Sequence, residues 1–318
     1  MLKLAYITDV HIRTTTPARR RDDYPSTVKT KLLEVRKICE ERNVDALLIG
    51  GDLYDSSSPS PQAVSIVLDC FKGVSFPILA ILGNHEMLGH NKSSVSQRMI
   101  GLLSRFENDY PVKILEGGFD RPSYTFECGV EIWALHYEYG IEDRLKEWEP
   151  RKQSNGILMA HANIVEKPAV FPDHVLFHEV KSPARVILCS HYHKKQGVKK
   201  SNGCLFVSPG ALTRGTISID DLNRTPALAF IEYDANMNVR CTLEDLKCAL
   251  PPEEVFDLVE VEKERGSEAR LKEFIETIRI SQQTGGGHCK LEEIIARVKG
   301  VEEKVIKRAL QALERSTK

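Results

Sequence analysis

Five short apolar runs in this chain each close on side chains that can hold a hard metal ion. The runs are Leu2–Ile7, then residues 44–49, 77–82, 156–160 and 184–189. The clusters at their ends are Asp9-Val10-His11, Gly51-Asp52 with Asp55, Gly83-Asn84-His85-Glu86, His161, and His191-Tyr192-His193. Unbroken apolarity over so few residues suits strands buried on both faces. Helical patterns alternate with the early runs. Val28, Leu32, Val35 and Cys39 make one stripe after Ser26, and Ser60-Pro61 reads as an N-cap with proline at the first helical position, stopped by Gly73. This alternation predicts a layered α/β core. Open α/β sheets carry their sites at the carboxyl ends of strands, so the clusters are expected to converge.

The donors are oxygens and imidazoles, with no thiolate among them. Asp9 and His11 are two residues apart, and in an extended backbone both would point to one side; the same holds for His191 and His193. Gly51 lets the chain turn and bring Asp52 close to a cation. Asn84 adds a neutral amide oxygen. Taken singly, each is more often incidental: a D-x-H pair, a turn, a buried core histidine. Taken together, they supply donors for two divalent metals around one bridging carboxylate. Such a set favours Mn²⁺, Fe or Zn²⁺.

Composition narrows the partners. A formal net charge of -1 leaves nucleic acid to be held by a local basic patch, not by overall charge. Arg13, Arg19, Arg20 and Arg21 follow the first cluster, and Lys194, Lys195, Lys199 and Lys200 follow the last. In loops beside the metals these would meet phosphates; the alternative is a solvated charged surface. None of the 8 cysteines forms a C-x-x-C pair, so they read as core residues in a reducing compartment. With no signal-peptide pattern and no apolar run of membrane-spanning length, the expectation is a cytoplasmic protein without a membrane partner.

Beyond Ser208-Pro209-Gly210 the pattern changes. Residues 227–233, 239–243 and 255–261 read as strands of a small β-rich cap spanning 211–264. A helical tail, 265–318, follows. Its helices at 291–299 and 301–315 stand after a glycine-containing hinge at 281–287.

In order and spacing the five clusters resemble the calcineurin-like metallophosphoesterase superfamily. The resemblance implies that Asp9, His11, Asp52 and His193 hold one metal. It implies that Asp52, Asn84, His161 and His191 hold the other, with Asp52 as the bridge and Mn²⁺ as the expected ion. It makes His85 the general acid, with Asp55 as the carboxylate paired to it. Protein phosphatases of this superfamily follow the second aspartate with Arg-Gly, where this chain has Asp55-Ser56-Ser57. The run Gly50-Gly51-Asp52-Leu53-Tyr54-Asp55 with Ser58-Pro59-Ser60 is closer to SbcD-type DNA-repair nucleases. Their usual Asp is replaced here by Glu86. That likeness implies a nuclease core at 1–210 that processes DNA ends as a homodimer, with a tail that binds an SbcC-type SMC-like ATPase. The tail is otherwise a DNA-binding unit or packing for the core. Two other functions stay open: a phosphodiesterase or phosphatase on a small-molecule or protein substrate, and a structural DNA-tethering subunit.

Overall fold

The computed structural model describes residues 1–91, 94, 101, 112–150, 153–169, 173–215 and 218–259. Two six-stranded sheets form the body. The first contains β1 (Leu2–Ile7), β2 (Ala46–Ile49), β3 (Ile78–Ala80), β4 (Val112–Ile114), β13 (Ala227–Tyr233) and β14 (Val239–Asp245), in the order β14-β13-β1-β2-β3-β4. The second contains β5 (Tyr124–Thr125), β6 (Glu131–Leu135), β7 (Ile157–Ala162), β10 (Val186–His191), β11 (Gly197–Ser201) and β12 (Cys204–Ser208), in the order β11-β12-β10-β7-β6-β5. Strands β1 to β4 run parallel, as do β6, β7, β10 and β12. A short pair, β8 (Ile164–Val165) and β9 (Val175–Leu176), stands apart.

Strand periodicity explains the layering. Successive side chains point to opposite faces, and here both faces are covered. Along β1, Leu4 and Tyr6 join Leu48, Leu79, Ile132, Met159 and Leu188 in a core between the two sheets. Ala5 and Ile7 face the other way, into a core with Val28, Leu32 and Val35 of α1 (Tyr24–Arg42) and Val67 and Phe71 of α2 (Pro61–Phe71). A third core covers the outer face of the second sheet, where Trp133, Leu158 and Ile187 meet Ile141 and Leu145 of α3 (Ile141–Glu147). Losing one such leucine would cost about 2–5 kcal/mol. Helix α1 begins earlier than its apolar stripe, because Asp23 is the N-cap and Pro25 occupies the first turn. Helix α2 starts as its sequence predicts: Ser60 Oγ accepts from Ala63 N at 3.2 Å.

Two expectations for the C-terminal part are corrected. The strands assigned to a separate cap belong to the first sheet: β13 pairs antiparallel with β1, Leu4 opposite Ile231, and β14 pairs with β13. Ala227 to Ile231 are all buried, which a small cap standing apart from the sheet could not achieve. The strand expected at 255–261 is not formed over its first residue. Val255 ends a short helix, Pro252–Val255, whose Glu254 and Val255 amides donate to Pro251 O. Proline favours that first turn. The helical tail lies outside the described residues. Among those described, no helix is long and apolar enough to cross a membrane.

Candidate metal centre

All five clusters come together at the carboxyl ends of the strands. Three groups of side chains have donor atoms within 4.8 Å of one another: Asp9, His11 and His193; His11, Asp52 and His85; and Asp52, His161 and His191. Asp52 and His11 each belong to two groups, so the three form one continuous centre. His161 Nε2 lies 3.3 Å from Asp52 Oδ2, and His11 Nε2 lies 3.0 Å from His193 Nε2. His193 Nε2 is 3.7 Å from Asp9 Oδ1.

The backbone that presents these groups is not extended, which corrects the simple strand argument for D-x-H and H-x-H. Asp9 (φ 50°), His11 (φ 50°), Asp52 (φ 49°) and His191 (φ 70°) are all left-handed. Non-glycine residues avoid that region unless surrounding structure enforces it. Here the enforcement is a zipper of loops. The Asp9 amide donates to Gly51 O at 3.1 Å, His11 to Asp52 O at 2.9 Å, and Ile12 to Leu53 O at 2.9 Å. The His191 amide donates to the Asp9 carboxylate at 3.2 Å, and Ser190 Oγ to Ala160 O at 2.8 Å. His161 is fixed by Nδ1 against Gly50 O at 2.8 Å, which leaves Nε2 for the centre.

Glu86 has a role that the sequence left open. Its buried carboxylate accepts the amides of Asp52 (2.9 Å), Tyr54 (3.1 Å) and Gly83 (2.8 Å). It therefore ties the Asp52 loop to the Asn84 loop. Gly83 makes the same junction close-packed. A Cβ there would lie 2.7 Å from Asp52 N, with the Asp52 carboxylate nearer still. Gly83→Ala is accordingly expected to push Asp52 out of place and lower both metal content and activity by at least about tenfold, the usual price of a disturbed ligand support. Elemental analysis beside a hydrolysis assay checks this.

Charge is shared across the cluster. Burial opposes ionisation of His161, but Asp52 outweighs it and raises the ring to about 9. Burial and then the charge of His161 push His191 down to about 3. Burial works against charge on Asp52 too, yet His161 and His11 hold it well below the usual carboxylate range. Glu86 is pushed up to about 7 by burial and by Asp52. Asn84 Oδ1 and His161 Nε2 are buried and have no hydrogen-bond partner among the described residues. Buried polar atoms of this kind are costly unless a cation or proton satisfies them. An orphaned amide oxygen on Asn84, a buried carboxylate between imidazoles and an all-oxygen-and-nitrogen donor set fit divalent metal.

His85 and Asp55 meet differently from expectation. His85 Nδ1 is 3.0 Å from the Asp55 main-chain carbonyl and 3.9 Å from its carboxylate. The carboxylate instead contacts His11 Nδ1 at 3.2 Å and Arg13 Nη1 at 3.1 Å. A main-chain carbonyl fixes the ring with Nδ1 protonated and needs no particular side chain.

The basic candidates are mostly engaged. Arg20 is a correction: its side chain is 1% exposed, grips Asp22 and donates to Arg214 O, so it is structural. Arg13 pairs with Asp55, Lys194 with Asp220 at 2.7 Å, Lys195 with Asp245 and Lys199 with Glu166 at 3.2 Å. Lys199 and Lys200 sit on edge strand β11, not in a loop beside the centre. Arg21 is exposed and Arg19 half-buried.

Sequence reasoning missed the strip after β6. His136 Nδ1 accepts the Leu82 amide at 3.0 Å, and the Tyr137 amide donates to Leu82 O at 3.0 Å. Leu82 immediately precedes the Asn84 loop, so Tyr137 is anchored beside it. The Tyr137 ring lies 5.3 Å from the His191 ring. The pair His136-Tyr137 directly after an apolar strand was the available signal.

Over 109 residues the chain is 28% identical to the DNA double-strand break repair protein Mre11 of Archaeoglobus fulgidus, a match covering 32% of this chain and 24% of that protein. The chain thus matches about a quarter of the length of this curated relative. Solved structures that resemble it include TT1561 of Thermus thermophilus (12% identity, 76% of this chain, 97% of that chain, TM-score 0.46). Another is the calcineurin-like phosphoesterase YfkN of Bacillus subtilis (12% identity, 77% and 90% coverage, TM-score 0.41). The calcineurin-like phosphoesterase family model matches residues 2–195, the span that carries every residue of the centre, and the chain belongs to that family.

Proposed function

We propose that this chain is a two-metal phosphodiesterase acting on DNA, the nuclease subunit of an end-processing complex. The observation that carries the reading is the continuity of the three donor groups through Asp52 and His11. Asp9, His11, Asp52 and His193 would hold one ion, and Asp52, Asn84, His161 and His191 the other; Mn²⁺ is the expected metal. When bound, such a pair supplies Lewis acidity and an activated water for in-line displacement at phosphorus.

The chain's own residues then have separate tasks. Glu86 and the Asp9–Gly51 zipper hold the ligand loops, and little reorganisation is needed when substrate arrives. His85 sits at the rim, 36% exposed, with Nδ1 fixed by the Asp55 carbonyl. That leaves Nε2 free to give a proton to the leaving oxygen. Asp55 shapes the rim through His11 and Arg13.

DNA as substrate rests on the likeness to Mre11 and on the Gly50–Asp55 run. An SbcC-type SMC-like ATPase partner, engaged through the tail, and a homodimer belong to the same reading. A second reading, a phosphodiesterase for small substrates, is favoured by one observation: Arg20 is buried, and Lys194, Lys195 and Lys199 are paired with acids. The test is Mn²⁺-dependent hydrolysis of plasmid, single-stranded DNA, bis-p-nitrophenyl phosphate and p-nitrophenyl phosphate in parallel. Cleavage of DNA and of the diester supports the nuclease. Hydrolysis of the monoester alone would overturn it.

A further inference from the structure

The centre opens on one side into a cavity of about 210 Å³ whose wall includes His191 itself, together with Tyr137, Tyr139, Glu142, Asn163 and Asp173. Tyr137 is held rigid by its main-chain bond to Leu82 and by contact with the His191 and His161 rings, at 5.3 and 6.2 Å. Tyr139 is 79% exposed, 6.3 Å from Tyr137 and tilted to it. A fixed ring beside an exposed one, next to a metal ligand, makes a surface on which a flat aromatic group stacks.

Charge decides what the cavity takes. Glu142 and Asp173 line it, and Glu142 is buried with one oxygen on the Asn163 amide at 2.9 Å. Glu138 and Asp143 are neutralised by Arg144 and Lys146. Among the described residues the wall carries no lysine or arginine, and its imidazoles are His174 and the ligand His191, so it offers a second phosphate no fixed positive charge. An uncharged ring whose edge carries N–H donors is accepted.

We propose that this cavity binds the nucleobase attached to the scissile phosphate, packed between Tyr137 and Tyr139, and prefers a base with an amino group, such as adenine, over thymine. The proposal deepens the phosphodiesterase reading and rests on it for the position of the phosphate. It gives the enzyme a contact that distinguishes a nucleotide from a simple phosphodiester at the same metals.

Three substrates share one leaving group: methyl p-nitrophenyl phosphate and the p-nitrophenyl esters of adenosine 5′-phosphate and thymidine 5′-phosphate. With the full chain and Mn²⁺, the adenosine ester should show a KM at least about tenfold below that of the methyl ester, the usual worth of one stacked base. The thymidine ester should fall between. In Tyr139→Ala and Tyr137→Leu the methyl-to-adenosine KM ratio should shrink about tenfold. Tyr139 is exposed, so its variant tests the idea even if Tyr137→Leu misfolds. Binding of free adenosine, followed by saturation-transfer NMR in EDTA, should weaken in the same variants. A KM ratio or adenosine affinity that does not move in Tyr139→Ala overturns the inference. Failure of the unsubstituted protein to hydrolyse the methyl ester would instead overturn the phosphodiesterase reading, and adenosine binding would still decide this one.

Discussion

Asp52→Ala is expected to remove bound metal and phosphodiester hydrolysis together. Among the described residues no other carboxylate belongs to two of the donor groups. Its Oδ2 lies 3.3 Å from His161 and 3.8 Å from His11, while Oδ1 accepts the His85 amide at 2.9 Å. The substitution leaves His161 Nε2 without a counter-charge in a fully buried position, and it frees the loop that carries Asn84 and His85. Lewis acidity is worth several kcal/mol at the transition state, and each ~1.36 kcal/mol is tenfold in rate. Loss of both ions therefore predicts a fall of roughly 10⁴-fold or more. Asp52→Asn keeps an acceptor for the His85 amide but removes the charge, so it should lose metal while retaining the fold. Elemental analysis and bis-p-nitrophenyl phosphate hydrolysis on the same preparations check both. Full metal content with lost activity would show that Asp52 is not a ligand.

His85→Gln is expected to separate chemistry from metal binding. His85 belongs geometrically to a donor group with His11 and Asp52, and its ring centroid is 4.8 Å from that of His11. Position alone therefore allows it to be either ligand or proton donor. Its Nδ1 contact with the Asp55 carbonyl and its partial exposure favour the donor. Removing a general acid slows the reaction by roughly 10²–10⁴-fold. Metal content should stay at the unsubstituted level. The loss should shrink for p-nitrophenyl esters, whose leaving group needs little protonation, and be larger for DNA. A fall in metal content that matches the fall in rate would reassign His85 as a ligand.

Much of the centre was legible in the sequence because its cause is local. A buried strand needs an apolar run, and the loop after it needs ligands and glycine. Strands β1, β2, β3, β7 and β10 accordingly lie where the apolar runs predict, and the donor clusters converge at their ends. What was not legible depends on pairing across long separations. Strand β13 completes the first sheet beside β1 from more than two hundred residues away, and nothing in residues 227–233 names that neighbour. The left-handed turns at Asp9 and His11 arise from bonds between two loops, so a single-segment argument gave extended backbone instead. Glu86 looked like a departure from the nuclease pattern. Its function, accepting two amides of the Asp52 loop and one of its own, is visible only once those loops meet. Arg20 shows the reverse error: a basic residue near a metal site, yet committed to Asp22 inside the fold.

We propose that one chain holds two divalent ions on Asp9, His11, Asp52, Asn84, His161, His191 and His193 and uses them on phosphodiesters. Titration of the EDTA-stripped chain with Mn²⁺ is the decisive measurement, with bound metal and bis-p-nitrophenyl phosphate hydrolysis followed at each step. Two equivalents bound, with activity absent before addition and reaching its maximum only as the second site fills, is the predicted result. Full activity in excess EDTA, or full activity with a single ion bound, would contradict it.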